Sequence, residues 1–93
     1  MKPVKAMHKI LKRMIGAAEH DDFDAFEGLN ARYKALIPNV YESPLSERDR
    51  SFEMCRQSAM LALQFGRMGL DQEYAQNITE ARKILPDLKK YIL

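Results

Sequence analysis

The chain has 93 residues, 46% hydrophobic and 30% charged, with 4 Gly and 4 Pro, which excludes disorder and is enough for one helical domain spanning residues 1–93. Its 15 Lys and Arg against 13 Asp and Glu leave a formal charge of +2, too little to imply nucleic acid by itself. The one cysteine, Cys55, excludes an intramolecular disulfide and CxxC zinc spacing, and suits a reducing compartment.

The hydrophobic period is helical almost throughout. In the first segment Val4, Met7, Leu11, Met14 and Ala18 recur at steps of three and four, one helix face that Ile10 and Ile15 widen. Pro3 suits the first turn, where a missing N–H costs nothing. Lys2, Lys5, Lys9 and Lys12 repeat on the opposite side beside Arg13, and no acid occurs in the first 15 residues. The opening "MKPVKAMHKI" has no apolar h-region, so no signal peptide is expected. No apolar run approaches the length of a membrane span, and the expected setting is the cytoplasm.

Glu19–Phe26 then reads "EHDDFDAF". Beyond it, Phe23, Phe26, Leu29, Tyr33 and Leu36 form a second helical stripe. Asp21 or Asp22 stands where an N-cap is needed, and Asp24 and Glu27 lie near the positive end of that helix's dipole. This helix is expected to stop before Pro38, because the residue ahead of a proline avoids the α region. "PNVYESP" reads as a loop. "SERD" has the form of a capping box, Ser46 as N-cap and Asp49 three residues on. A long third helix is predicted to about Met68, with Gly69 as its C-cap. Asp71 is the expected cap of a fourth helix with the seam Tyr74, Ile78, Ala81, Leu85, Leu88 and Ile92. Pro86 should kink that helix or break it into a short terminal turn.

The predicted fold is therefore all-α: a four-helix antiparallel bundle or two packed helical hairpins, with the last helix kinked or broken near Pro86. A tetratricopeptide-type repeat does not fit, because its small residues are out of register with Phe23 and Pro38.

The third helix carries two seams. Phe52, Cys55, Ala59, Ala62, Gly66 and Gly69 are mostly small and would admit a close neighbour; Met54, Ser58, Leu61, Phe65 and Met68 form the other. Met60, Leu63 and Leu70 lie outside both. Either this is a central helix covered by the other three, or part of its surface awaits a partner. Methionine's flexible thioether suits the second reading. The side expected to face a partner is Met54, Met60, Leu61, Phe65 and Met68, partly covered by the closing helix.

Chemistry finds little purchase. "EHDDFDAF" lacks a calcium loop's glycine and distant glutamate, and zinc would need ligands beyond His20, His8 and the lone Cys55. Carboxylates in one polar turn share one environment, which does not separate their pKa values for acid/base work. The stretch reads as turn and cap. Cys55 on an apolar face reads as a buried inert thiol. With no phosphate loop, GxSxG or HExxH, neither enzyme activity nor a cofactor is expected.

Three stretches carry a resemblance: "LKRMIGAAEHDDFDAFEGLNARYKAL", "LSERDRSFEMC" and "YAQNITEARKILPDLKKYIL". They look like the first-helix end, acidic turn and second helix, the polar start of the third helix, and the closing helix of the FliT-like flagellar export chaperones. The resemblance covers roughly residues 10–93. It implies a cytoplasmic four-helix chaperone that binds the helical C-terminal part of a filament-cap export substrate. It also implies contact with the export ATPase machinery or a transcriptional regulator, the last helix controlling access. The expectation is thus a module that binds an amphipathic helix of a partner protein. Alternatives are a nucleic-acid-associated regulator using the basic stripe, though that stripe has no interleaved aromatics, or a structural subunit of a homo- or hetero-oligomer.

Overall fold

Local chemistry sets where each helix begins and ends. The computed structural model describes residues 2–92, which form α1 (Lys2–Glu19), α2 (Phe23–Val40), α3 (Glu47–Arg67), α4 (Asp71–Asp87) and a 3₁₀ turn, Leu88–Tyr91. α1 closes as a Schellman motif: the Asp22 N–H donates to the Ala17 carbonyl at 2.9 Å and the Asp21 N–H to Ala18 at 3.3 Å. Asp21 takes the left-handed position, φ 51°. Asp22 then caps α2, its carboxylate accepting from the Ala25 N–H at 3.1 Å. The acidic stretch is a turn and a cap, as its residue types predict.

α3 ends the same way. Gly69 at φ 74° lets the Leu70 N–H reach the Phe65 carbonyl at 2.9 Å. Leu70 therefore holds the cap position of α4 and makes no side-chain bond. Asp71 is not the cap, because the preceding closure has used the residues ahead of it; it opens the first turn, where with Glu73 it still complements the dipole. At the start of α3 the capping box is complete. Ser46 Oγ accepts from the Asp49 N–H at 3.1 Å, and the Asp49 carboxylate accepts from the Ser46 N–H at 3.4 Å.

Pro38 does not end α2, which runs on to Val40. The proline forfeits one helical hydrogen bond. Three contacts offset it: Val40 is buried, its carbonyl accepts from Arg48 Nη2 at 2.7 Å, and the Tyr41 N–H donates to Ile37 at 2.8 Å. Pro86 likewise lies inside α4, which continues one residue further before the 3₁₀ turn.

The two three-residue turns make two antiparallel helical hairpins, α1–α2 and α3–α4, packed together as a four-helix bundle. α1 packs its backbone closely against every other described element, whereas α3 does so against α1, α4 and the 3₁₀ turn and reaches α2 chiefly through side chains. Met7, Leu11, Met14 and Ile15 have no exposed surface, each burial stabilising by about 1.5–3 kcal/mol. Phe26, Tyr33, Phe52, Leu63, Ala81 and Leu88 complete the core from the remaining elements. Leu29 and Leu36 are half-buried against it, whereas Phe23, expected in the stripe, is exposed and lies under the Arg67 guanidinium, 4.1 Å from its ring centre. The buried His8 bonds through Nε2 to the Leu85 carbonyl at 3.1 Å, tying α1 to the end of α4.

The outward face of the third helix

α3 separates its two seams cleanly. Cys55, Ala59 and Ala62 are fully buried, and α4 lies against this side. The Cys55 thiol reaches the Ala81 carbonyl at 3.6 Å, and a Cβ on Gly66 would stand 3.2 Å from the Tyr74 ring. Burial pushes the Cys55 thiol up to about 12, so it carries no thiolate at neutral pH and is a packing residue.

The other seam faces solvent. Met54 is 56% exposed, Leu61 38% and Met68 67%. These three repeat every seven residues, so they form a nearly straight row about 21 Å long at 1.5 Å per residue. Phe65 and Ser58 lie half-buried on the flank of the row. Met60 does not join it. It stands about 120° round the helix from Met54, half-buried and packed against the core.

Shallow hollows border the row at both ends. Near its start, Leu45 from the preceding loop joins Met54, Leu61, Arg50, Gln57 and Ser58 around a depression of about 400 Å³. Near its end, Phe23 from α2 joins Gln64, Arg67 and Met68. The closing segment reaches only the beginning of the row, where Lys90 and Tyr91 share a small hollow with Met54. α4 itself packs on the small seam.

The side of α3 toward α2 carries a polar cluster that the sequence reading did not anticipate. The Tyr33 and Tyr41 hydroxyls are 2.5 Å apart, and the Tyr41 hydroxyl donates to Glu53 at 2.9 Å. Arg56 grips the same carboxylate with two nitrogens, donates to Asn30 Oδ1 at 2.9 Å, and stacks 5.4 Å over the Tyr33 ring. Burial first, and then the cluster's own hydrogen bonds, push the Tyr41 phenol above its ordinary value; burial does the same to Tyr33 against the opposing bond from Tyr41. Burial would raise the Glu53 carboxyl too, but the bonds from Arg56 and Tyr41 outweigh it and hold it low. With the phenols neutral and the carboxylate fully engaged, the cluster clamps α2 to α3 and offers no free base. Glu53 and Arg56, three apart on one helix, were the only local signal of it. Tyr41 and Asn30 lie 12 and 26 residues from their partners.

His20 is exposed, its Nδ1 2.8 Å from the Gly16 carbonyl. Among the described residues no three His, Cys, Asp or Glu side chains are grouped to hold a metal, and no helix is long and apolar enough to cross a membrane. Comparison of the chain with protein-family models, curated proteins and solved structures found no match.

Proposed function

We propose that this chain is a cytoplasmic protein-binding module, without catalytic activity, that receives an amphipathic helix of a partner on the outward face of α3. Most concretely it is an export chaperone or regulator of the kind its sequence resembles. One observation carries the reading: the row Met54, Leu61 and Met68 is exposed while the other large apolar side chains of α3 are buried or half-buried. Anchors at heptad spacing, with Phe65 beside them and a hollow at each end, suit an apolar helix face laid along them. The unbranched methionines let the row repack around the ligand's side chains. Leu45 and Phe23, also exposed, extend apolar contact beyond the two ends of α3.

The test is a calorimetric titration with a synthetic peptide of the C-terminal helical segment of the filament-cap protein encoded in the same genome. Saturable binding is expected. Leu61→Glu and Met68→Glu should each abolish it while leaving the unfolding midpoint unchanged. Absence of binding, or binding that survives both substitutions, contradicts the proposal. A doubled solution mass lost in the same variants would assign the row to self-association instead.

A further inference from the structure

α1 gives all its large apolar side chains to the core, so what it leaves to solvent is a narrow strip. That strip holds Lys2, Lys5, Lys9, Lys12 and Arg13, with the small residues Ala6 and Gly16 between them. The two neighbouring helices add cations to its edges. Arg32 of α2 closes a hollow with Lys9 and Arg13 on one side, and Arg82 of α4 closes another with Lys9, Lys12 and Arg13 on the other. Among the described residues, Arg82 is paired with Glu19, but Lys5, Lys9, Lys12, Arg13 and Arg32 have no carboxylate within ion-pair distance. The chain's three ion pairs there lie elsewhere on the molecule or at the strip's end. Five of the 15 basic residues therefore sit in the first 13 positions without compensation, and the remaining ten face all 13 acids.

We infer that this strip is a second docking site, separate from the α3 face, and that it takes an acidic helical segment of a partner protein. Three observations select that occupant. First, the lysines step by three and four residues, a rise of about 4.5–6 Å. Carboxylates at the same spacing on an acidic helix laid alongside meet them in register. Second, the cations from Lys2 to Arg13 span about 16 Å, and toward α2 the strip ends at Glu19 and the turn that holds Asp21 and Asp22. A finite acidic segment fits that length, whereas a phosphate backbone running on would meet Glu19, Asp21 and Asp22. No aromatic side chain stands on the strip for bases to stack on. Third, the apolar face of α1 is locked in the core, so nothing is left to insert into a lipid surface. Lysine, a compact charge on a flexible apolar stem, suits carboxylates approached along a line rather than gripped in a fork.

The experiment is a fluorescence anisotropy titration of the full chain against three labelled or vesicle probes. They are a synthetic helical peptide with glutamates at three- and four-residue spacing, a short DNA duplex, and phosphatidylcholine vesicles containing phosphatidylserine. The peptide should bind most tightly, with affinity that falls as salt is raised. Lys5→Gln, Lys9→Gln and Lys12→Gln together should weaken it about tenfold, as three exposed charge pairs contribute. Lys34→Gln, Lys83→Gln and Lys89→Gln together remove the same charge elsewhere and should leave it within about twofold. A peptide with lysines in place of the glutamates, offered to the unaltered protein, should not bind. Equal loss in the two triple variants means bulk charge and overturns the inference. So does tighter binding of the duplex or the vesicles, or no saturable binding of the acidic peptide.

Discussion

α1 and α3 each carry methionines on faces that look alike in the sequence, yet the two helices use them oppositely. Met7 and Met14 of α1 have no exposed surface, while Met54 and Met68 of α3 are more than half exposed. The residue type is the same; the number of neighbours differs. α1 is hemmed in by α2, α3, α4 and the 3₁₀ turn, so every apolar position on it finds a partner. α3 meets its neighbours through the small seam and the polar clamp, and its third side has none. Apolarity alone therefore does not make a core residue, and an apolar row left over after packing is what a partner can use.

The largest effect should come from α1. Met14→Ala or Leu11→Ala is expected to cost about 2–5 kcal/mol in urea denaturation, because each leaves a cavity no neighbour can fill. The same change at Met54 should stay within about 0.5 kcal/mol. Equal costs at the two sites would erase the distinction.

Within α3 the two seams should separate by overpacking. Ala62→Leu forces α4 away from a fully buried position and should cost about 1–3 kcal/mol, read from the thermal midpoint. If it is tolerated, the small seam is not the contact face.

The polar clamp provides the next step. Glu53→Ala strips Arg56 and Tyr41 of their acceptor and should cost about 1–3 kcal/mol near neutral pH. Its pH dependence has a defined sign. The Glu53 carboxyl is held below its ordinary value, so its contribution is present above about pH 4.3, the unfolded value, and is lost as pH falls further. Asp49, held low against burial by bonds from Glu42, Ser46 and Arg48, acts in the same direction. Acid unfolding of Glu53→Gln should therefore show a shallower loss below about pH 4 than the native chain. A smaller loss is expected at the acidic turn. Asp22→Ala removes a cap contact that concerns α2 alone and should cost about 1 kcal/mol by thermal denaturation.

Much of this was legible in the sequence where the determinant is local. The α1 stripe, the Asp22 cap, the Ser46–Asp49 box and the turn at Gly69 depend on a few neighbouring residues, and each forms as its chemistry dictates. The misreadings share a different cause. Pro38 is carried inside α2 by contacts of Val40 with Arg48 and of Tyr41 with Glu53, both on α3. Phe23 keeps the spacing of its stripe but sits at the helix end, beyond the reach of the core. Which helix is central, and on which side of α3 Met60 falls, depends on how the two hairpins pack. Within the candidate site, Met54, Leu61 and Met68 share one face because helical periodicity alone places them there. Their exposure is decided by how the described helices pack, none of which covers that side of α3, and no spacing encodes this.

The central claim is that the outward methionines of α3 are surplus to the fold. Guanidinium denaturation of a Met54→Glu, Met68→Glu double variant tests it most directly, with solution mass measured on the same sample. A folded monomer is expected, with an unfolding free energy within about 0.5 kcal/mol of that of the native chain. A variant that loses more than about 2 kcal/mol, or fails to fold, would show these methionines to be core and α3 to have no free face.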